Sequence, residues 1–180
     1  MIHDSRMKYI KSVDGKDYYL FTPSLTRQYF NKEEEWTKHR KLLSHKLHML
    51  LYYIRGGYSI LYMMDGEEIA AYLVFTRAGR TVIEGTTKED IFTIFVTTHP
   101  KYRRQGLATK IVHELLTGIN LKFRTAYKTI VDWNTRSRLA AFANGYVEQY
   151  PGKKSKYLKT IQRVEKSKWK LYSYQNKNTD

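Results

Sequence analysis

Residues 91–116 constrain this chain more tightly than any other part of it. The run Ile91-Phe-Thr-Ile-Phe-Val-Thr97 is apolar, β-branched and aromatic, the composition of a buried strand. A short basic loop follows, His99-Pro-Lys-Tyr-Arg-Arg-Gln-Gly106, and then Ile111, Val112, Leu115 and Leu116 recur at helical spacing. A strand that turns tightly into an amphipathic helix presents free backbone N–H groups and a helix N-terminus to an anion. Arg103 and Arg104 add charge-assisted contacts to the same anion. Gly106 permits close backbone approach, and the small Ala108 keeps the first helical turn near the ligand. The segment therefore predicts a site for a phosphate-bearing cofactor.

The flanking sequence is read as one domain over residues 1–180, with no repeat and no linker. Residues 8–13 and 17–21 around Asp14-Gly15 predict a hairpin, and residues 58–64 and 69–75 around Asp65-Gly66 a second. Pro23-Ser24 predicts a short helix ending near Asn31. Residues 32–55 carry the longest helical pattern, with Glu33 to Glu35 at its start, lysines behind them and Gly56-Gly57 as the stop. Residues 81–84 predict a short strand and residues 169–174 a closing one, with a frayed tail over 175–180. Strands alternating with helices in this way argue a mixed α/β sheet.

Composition narrows the chemistry. The chain of 180 residues has no cysteine, which excludes disulfides, thiolate nucleophiles and zinc–thiolate sites. No window is long and apolar enough to span a bilayer, and no apolar signal region opens the chain, so a cytoplasmic protein is expected. His45 and His48 stand one helical turn apart, but no carboxylate lies between Glu35 and Asp65 to complete a metal site, so none is expected. The net charge of +15 is uneven: residues 1–100 hold 14 Lys/Arg against 12 Asp/Glu, and residues 101–180 hold 18 against 5. Lys153, Lys154, Lys156, Lys159, Arg163, Lys166, Lys168, Lys170 and Lys177 exceed what a cofactor needs and suit an anionic partner such as nucleic acid. Tyr18, Tyr19, Tyr52, Tyr53, Tyr58 and Tyr62 form a second concentration, suited to walling a cleft for sugars or nucleobases, or to strand packing.

Arg103-x-x-Gly106-x-Ala108 resembles the pyrophosphate-loop signature of the GNAT superfamily of acetyl-CoA-dependent N-acetyltransferases. Asn134, Gly145 and Tyr146 are similar in spacing to a second signature of that family, an Asn after the fifth strand and Gly-Phe eleven and twelve residues on. The resemblance covers residues 91–150. It implies a GNAT-like α+β fold, a mostly antiparallel central sheet flanked by helices, and acetyl-CoA (coenzyme A) as cofactor. It also implies that backbone N–H groups of Arg104, Gln105, Gly106, Leu107, Ala108 and Thr109 cradle the pyrophosphate beside Arg103. The strand edge at Ile94, Phe95 and Val96, with Asn134, would take the pantetheine arm.

The family's reaction is attack of an amine on a thioester, which needs a proton acceptor for the amine and a proton donor for the thiolate. Many members carry a Tyr donor seven residues after the Asn, but here Ala141 stands there, followed by Phe142, and neither donates. Tyr146 occupies a packing position and is expected in the core with a satisfied hydroxyl. His99 reads as a structural loop residue. Asp132 is the leading candidate base, because two-residue alternation places it on the side of Asn134, with Glu84 second. Its plainer reading is a strand-end carboxylate beside a Lys or Arg. The expected acceptor is a small or sugar-like amine. Alternatives are a nucleic-acid-associated amine, on aminoacyl-tRNA or a ribosomal protein, and a binding module without chemistry. Oligomerisation is compatible with all three.

Overall fold

The computed structural model describes residues 5–29, 49–54, 56–78, 86–149 and 169–177. The strands are β1 (Met7–Val13), β2 (Lys16–Phe21), β3 (Ser59–Asp65), β4 (Glu68–Arg77), β5 (Ile91–Thr98), β6 (Thr125–Val131), β7 (Val147–Gln149) and β8 (Trp169–Gln175). They form one sheet in the order β1-β2-β3-β4-β5-β6-β8-β7, antiparallel throughout except for β5 beside β6. The parallel pair is joined by α1 (Leu107–His113), which continues as a π-helical stretch over Glu114–Gly118, since parallel neighbours need a long crossover. Helix α2 (Thr135–Ala143) connects β6 to β7.

Two-residue alternation sorts the apolar side chains onto the two faces of the sheet. Leu61, Met63, Leu73 and Ile91 pack with Ile111, Val112 and Leu115 of α1, and with Ala141 of α2. Ile60, Tyr62, Met64 and Val74 pack on the other side, against Met49 of the helical segment 49–54. Strand β4 is covered on both faces from Ile69 to Thr76, which is why its sequence is a near-continuous apolar run.

Both predicted hairpins form where their Asp-Gly turns stand. Asp14 and Gly15 have φ of 52° and 70°, and Gly66 has φ of 59°. The long helix is seen only over its last residues, 49–54, and ends as predicted: Gly57 N–H donates to the carbonyls of Tyr53 (3.0 Å) and Tyr52 (3.2 Å). Glu33 to Glu35, His39, His45, His48, the strand expected over 81–84 and the lysines of 153–168 lie outside the described residues.

Two expectations need correction. The helix expected after Pro23 is absent over 22–29, where Ser24 closes a tight turn. Its carbonyl and hydroxyl both accept from Arg27 N–H at 3.2 Å, an alternative that serine offers the backbone in place of helix. The tail begins later than expected: Gln175 is the last residue of β8, and Asn176 is pinned by its N–H to the Arg124 carbonyl and its side chain to the Phe123 carbonyl, each at 2.9 Å. Of the two readings left open for the tyrosines, Tyr18, Tyr19, Tyr58 and Tyr62 follow the packing one and are core residues.

Asp90 fixes the entry to β5. Its side chain is fully buried and accepts from Thr87 N–H (2.8 Å) and from Arg124 Nη2 (2.9 Å) and Nε (3.2 Å), while its carbonyl accepts from Ala78 N–H (2.8 Å). Burial pushes this carboxyl up, but Arg124 and Thr87 together outweigh it and hold it below the ordinary value of 3.8. A depressed carboxyl contributes stability that is fully present above its unfolded value and is lost as pH falls through the lower folded one. Asp90→Asn should therefore cost about 2 kcal/mol at neutral pH, the low end for hydrogen bonds to a charge because Arg124 is half exposed. Urea unfolding should also show the wild-type advantage shrinking once pH falls below the ordinary carboxyl value of 3.8, and vanishing as the folded-state carboxyl protonates at lower pH.

Candidate cofactor site

Strands β5 and β6 pair over only three positions, Ile91 with Ala126, Phe92 with Tyr127 and Thr93 with Lys128, and then diverge. The divergence coincides with a bulge. Val74 of β4 faces Phe95 and Phe75 faces Thr93, so Ile94 is the extra residue, which bends β5 away from β6. Burial falls at the same point: residues 91–93 are buried and residues 94–98 are intermediate. Ile94, Phe95 and Val96 thus lie on a strand edge free of β6, as expected for a backbone that receives an extended ligand.

The wedge opens toward the basic loop. His99 caps the 3-10 turn Pro100–Tyr102, its Nδ1 accepting from Lys101 N–H at 3.2 Å, which is a structural task. Tyr102 is buried, and its hydroxyl donates to Glu68 Oε2 at 2.7 Å, tying the turn to β4. Beyond it the backbone takes two left-handed steps, Arg104 at φ 67° and Gly106 at φ 72°. Gly106 is the N-cap of α1, with no side-chain cap, and the N–H groups of residues 104–108 donate to no protein acceptor among the described residues. Five consecutive free donors at an uncapped helix start, flanked by Arg103 and Arg104, form an anion cradle. A Cβ placed on Gly106 would meet no protein atom within 4 Å, so the space above the cradle is open. These features fit the pyrophosphate and arm of an acyl-CoA.

Asn134 is the N-cap of α2: its Oδ1 accepts from Ser137 N–H at 3.1 Å, leaving its Nδ2 to donate elsewhere. The alternation argument for Asp132 does not hold, because β6 ends at Val131 and Asp132 lies in the turn after it. Its Oδ1 is nevertheless buried without a hydrogen-bond partner, and although its charge helps to raise the pKa of Lys170, that lysine pairs with Glu148 at 2.7 Å. Ala141 is fully buried in the cluster that contains Tyr146, so this position supplies no donor. Tyr146 is core as expected, but its hydroxyl is not satisfied. It lies beside Thr93 Oγ1, and neither forms a hydrogen bond of ordinary geometry.

Two residues escaped the sequence reading. Asn144 Nδ2 donates to the carbonyls of Thr109 (3.2 Å) and Ala140 (2.9 Å), fastening α2 to the first turn of α1. Lys128 is buried at the closed end of the wedge; its only forewarning is a lysine inside an apolar strand run. A cavity of about 830 Å³, lined by Arg77, Lys88, Glu89, Lys122 and Arg124 among others, lies at the opposite end of β5 and is not part of this site.

Comparison with known proteins agrees with this geometry. No curated protein sequence matches the chain. Among solved structures, yncA from Salmonella typhimurium, solved with acetyl-CoA, superposes with a TM-score of 0.57 at 11% identity, over 89% of this chain and 95% of that one. The ribosomal-protein-S18-alanine N-acetyltransferase of Escherichia coli superposes with a TM-score of 0.56 at 12% identity, covering 91% and 96%. Diaminobutyrate acetyltransferase EctA from Paenibacillus lautus, in complex with L-2,4-diaminobutyric acid and coenzyme A, gives 0.53 at 16% identity, covering 92% and 99%. These likenesses establish the fold. The sequence model of the Acetyltransferase (GNAT) family matches residues 21–148, from β2 to β7, and the chain belongs to that family.

Proposed function

We propose that this protein transfers an acetyl group from acetyl-CoA to the amine of a small acceptor. The observation that carries the reading is the divergence of β5 from β6 after Thr93, which opens an unpaired strand edge directly toward a cradle of five free N–H groups. Acetyl-CoA supplies the activated acetyl thioester when bound. The N–H groups of residues 104–108, with Arg103 and Arg104, bind its phosphates; the edge at Ile94, Phe95 and Val96 and the Asn134 Nδ2 align the arm. Asp132, with a buried and unpartnered Oδ1, takes the proton of the attacking amine. Structures of similar fold accommodate a small diamine in one case and belong to a ribosomal-protein acetyltransferase in another. Of the tyrosines that suited a sugar, Tyr18, Tyr19, Tyr58 and Tyr62 are core and Tyr52 and Tyr53 are half-buried.

Incubation with acetyl-CoA and a panel of diamines, amino acids, amino sugars and aminoacyl-tRNA should give thiol release that depends on a small amine. Binding of acetyl-CoA with no turnover over the panel would instead identify a non-catalytic acyl-CoA module. Asp132→Asn should lower kcat by about 10²-fold with little change in the Kd for acetyl-CoA.

The cradle is tested separately by calorimetry. Gly106→Val should weaken acetyl-CoA binding more than tenfold, because its side chain enters the space above the free N–H groups. It should also cost about 1–2 kcal/mol of stability, all of it conformational, from forcing a branched residue to φ 72°. Arg104→Gly should separate the two effects. Binding should fall about tenfold with loss of a charge-assisted contact, while stability holds, because the strain at φ 67° is relieved.

A further inference from the structure

The last paired position before β5 and β6 separate, Thr93 opposite Lys128, collects three polar side chains that the site described above does not use. Thr93, Lys128 and Tyr146 expose only 3%, 6% and 2% of their surfaces. Thr93 and Lys128 sit opposite one another in a parallel pair and so point to one face, the face of α1 and α2, where Tyr146 packs. The Lys128 ammonium lies 5.0 Å from the centre of the Tyr146 ring and forms no ion pair or hydrogen bond among the described residues. The Thr93 and Tyr146 hydroxyls lie beside one another and have no other partner among the described residues. Taking an ammonium largely out of water with an aromatic ring as its contact and no carboxylate to pair with is costly. Nothing in the packing requires a lysine at this position, since Ala126 and Ile130, two residues away on either side, are ordinary core residues.

The location supplies a purpose. From Thr98, beside the loop, back to Thr93 is five strand steps, about 17 Å at ~3.3 Å each. A pantetheine arm extended from the cradle along the free edge covers a comparable distance and brings its sulfur to the closed end of the wedge. The family position for a proton donor holds Ala141, buried in the same cluster as Tyr146. We propose that Lys128 donates the proton to the departing thiolate, with the Thr93 and Tyr146 hydroxyls completing a polar pocket around the sulfur. As the new C–N bond forms and the C–S bond breaks, Lys128 gives one proton to sulfur, and the neutral amine it leaves regains one from water. Burial lowers its pKa from 10.5 to about 8, so it is charged at neutral pH and close in acidity to the thiol it serves.

This assignment rests on the acyl-CoA reading, and the experiment separates the two. Free coenzyme A is bound to the protein and its thiol titrated by thiolate absorbance. In the wild type the bound thiol should titrate about one unit below the free thiol, as an adjacent ammonium dictates. In Lys128→Met the shift should vanish, while kcat falls about 10²-fold and the Kd for acetyl-CoA stays within threefold. The melting temperature provides a readout that a merely structural lysine would move the other way. Because the folded-state pKa is depressed, the unfolded chain binds more protons between pH 8 and 10.5, and the wild type gains stability as pH rises through that window. Lys128→Met should thus melt higher than the wild type at pH 7, and its advantage should shrink toward pH 10. No coenzyme A binding by the wild type would overturn the site itself. Binding with an unshifted thiol would overturn only the role of Lys128, a result that needs no variant to fold.

Discussion

The three-residue length of the β5–β6 ladder is the constraint on which the rest of the structure depends. Parallel neighbours that paired along their full length would leave no backbone donors in the middle of the sheet for a ligand to meet. Here β5 is secured to β4 along seven pairs and β6 to β8 along seven, so each strand is held on its outer side while their shared seam opens. The bulge at Ile94 directs the separation. At the closed end, Asp90 and Arg124 lock the starts of the two strands together, so the wedge has a fixed apex.

The anion cradle is rigid for similar reasons. Helix α1 is tied to the first hairpin by Lys110 with Asp14 (2.9 Å) and Glu114 with Lys11, and to α2 by Asn144. Gly118 leaves room for the Glu114 carboxylate, which a Cβ there would strike. The loop before the helix is held by Tyr102 and Lys101, both on Glu68. The surroundings are bonded and the five donors are not, an arrangement in which a ligand meets prepaid order. The left-handed Arg104 belongs to the same economy. A non-glycine residue in that region is strained and persists only where its surroundings impose it, and such strain gathers at functional sites.

Much of this was legible in one dimension because the signals were local. Asp14-Gly15, Asp65-Gly66 and Gly56-Gly57 carry their turn chemistry with them. The cradle was legible because a strand, a basic turn with Gly106 and an amphipathic helix specify it without reference to distant residues. The failures were also physical. Ser24 satisfied its neighbours through a closed turn where a helix start was expected. Asp132 was placed by an alternation that ends at Val131. The tyrosines of the first two hairpins had polar tips and aromatic bodies, and their sequence could not tell whether a cleft or a core received them.

The strand, the basic turn and the helix of the cradle could be read from residues 91–116 alone, because their necessary contacts are between near neighbours. Where that turn leads depends on long-range packing. Thr93, Lys128 and Tyr146 are separated by 35 and 18 residues along the chain, and they meet because a parallel pairing stops after three positions and α2 returns the chain across its apex. A lysine in an apolar run has no meaning until the partners it lacks are known. That is a property of the packed sheet, set by non-local burial, and no local pattern encodes it.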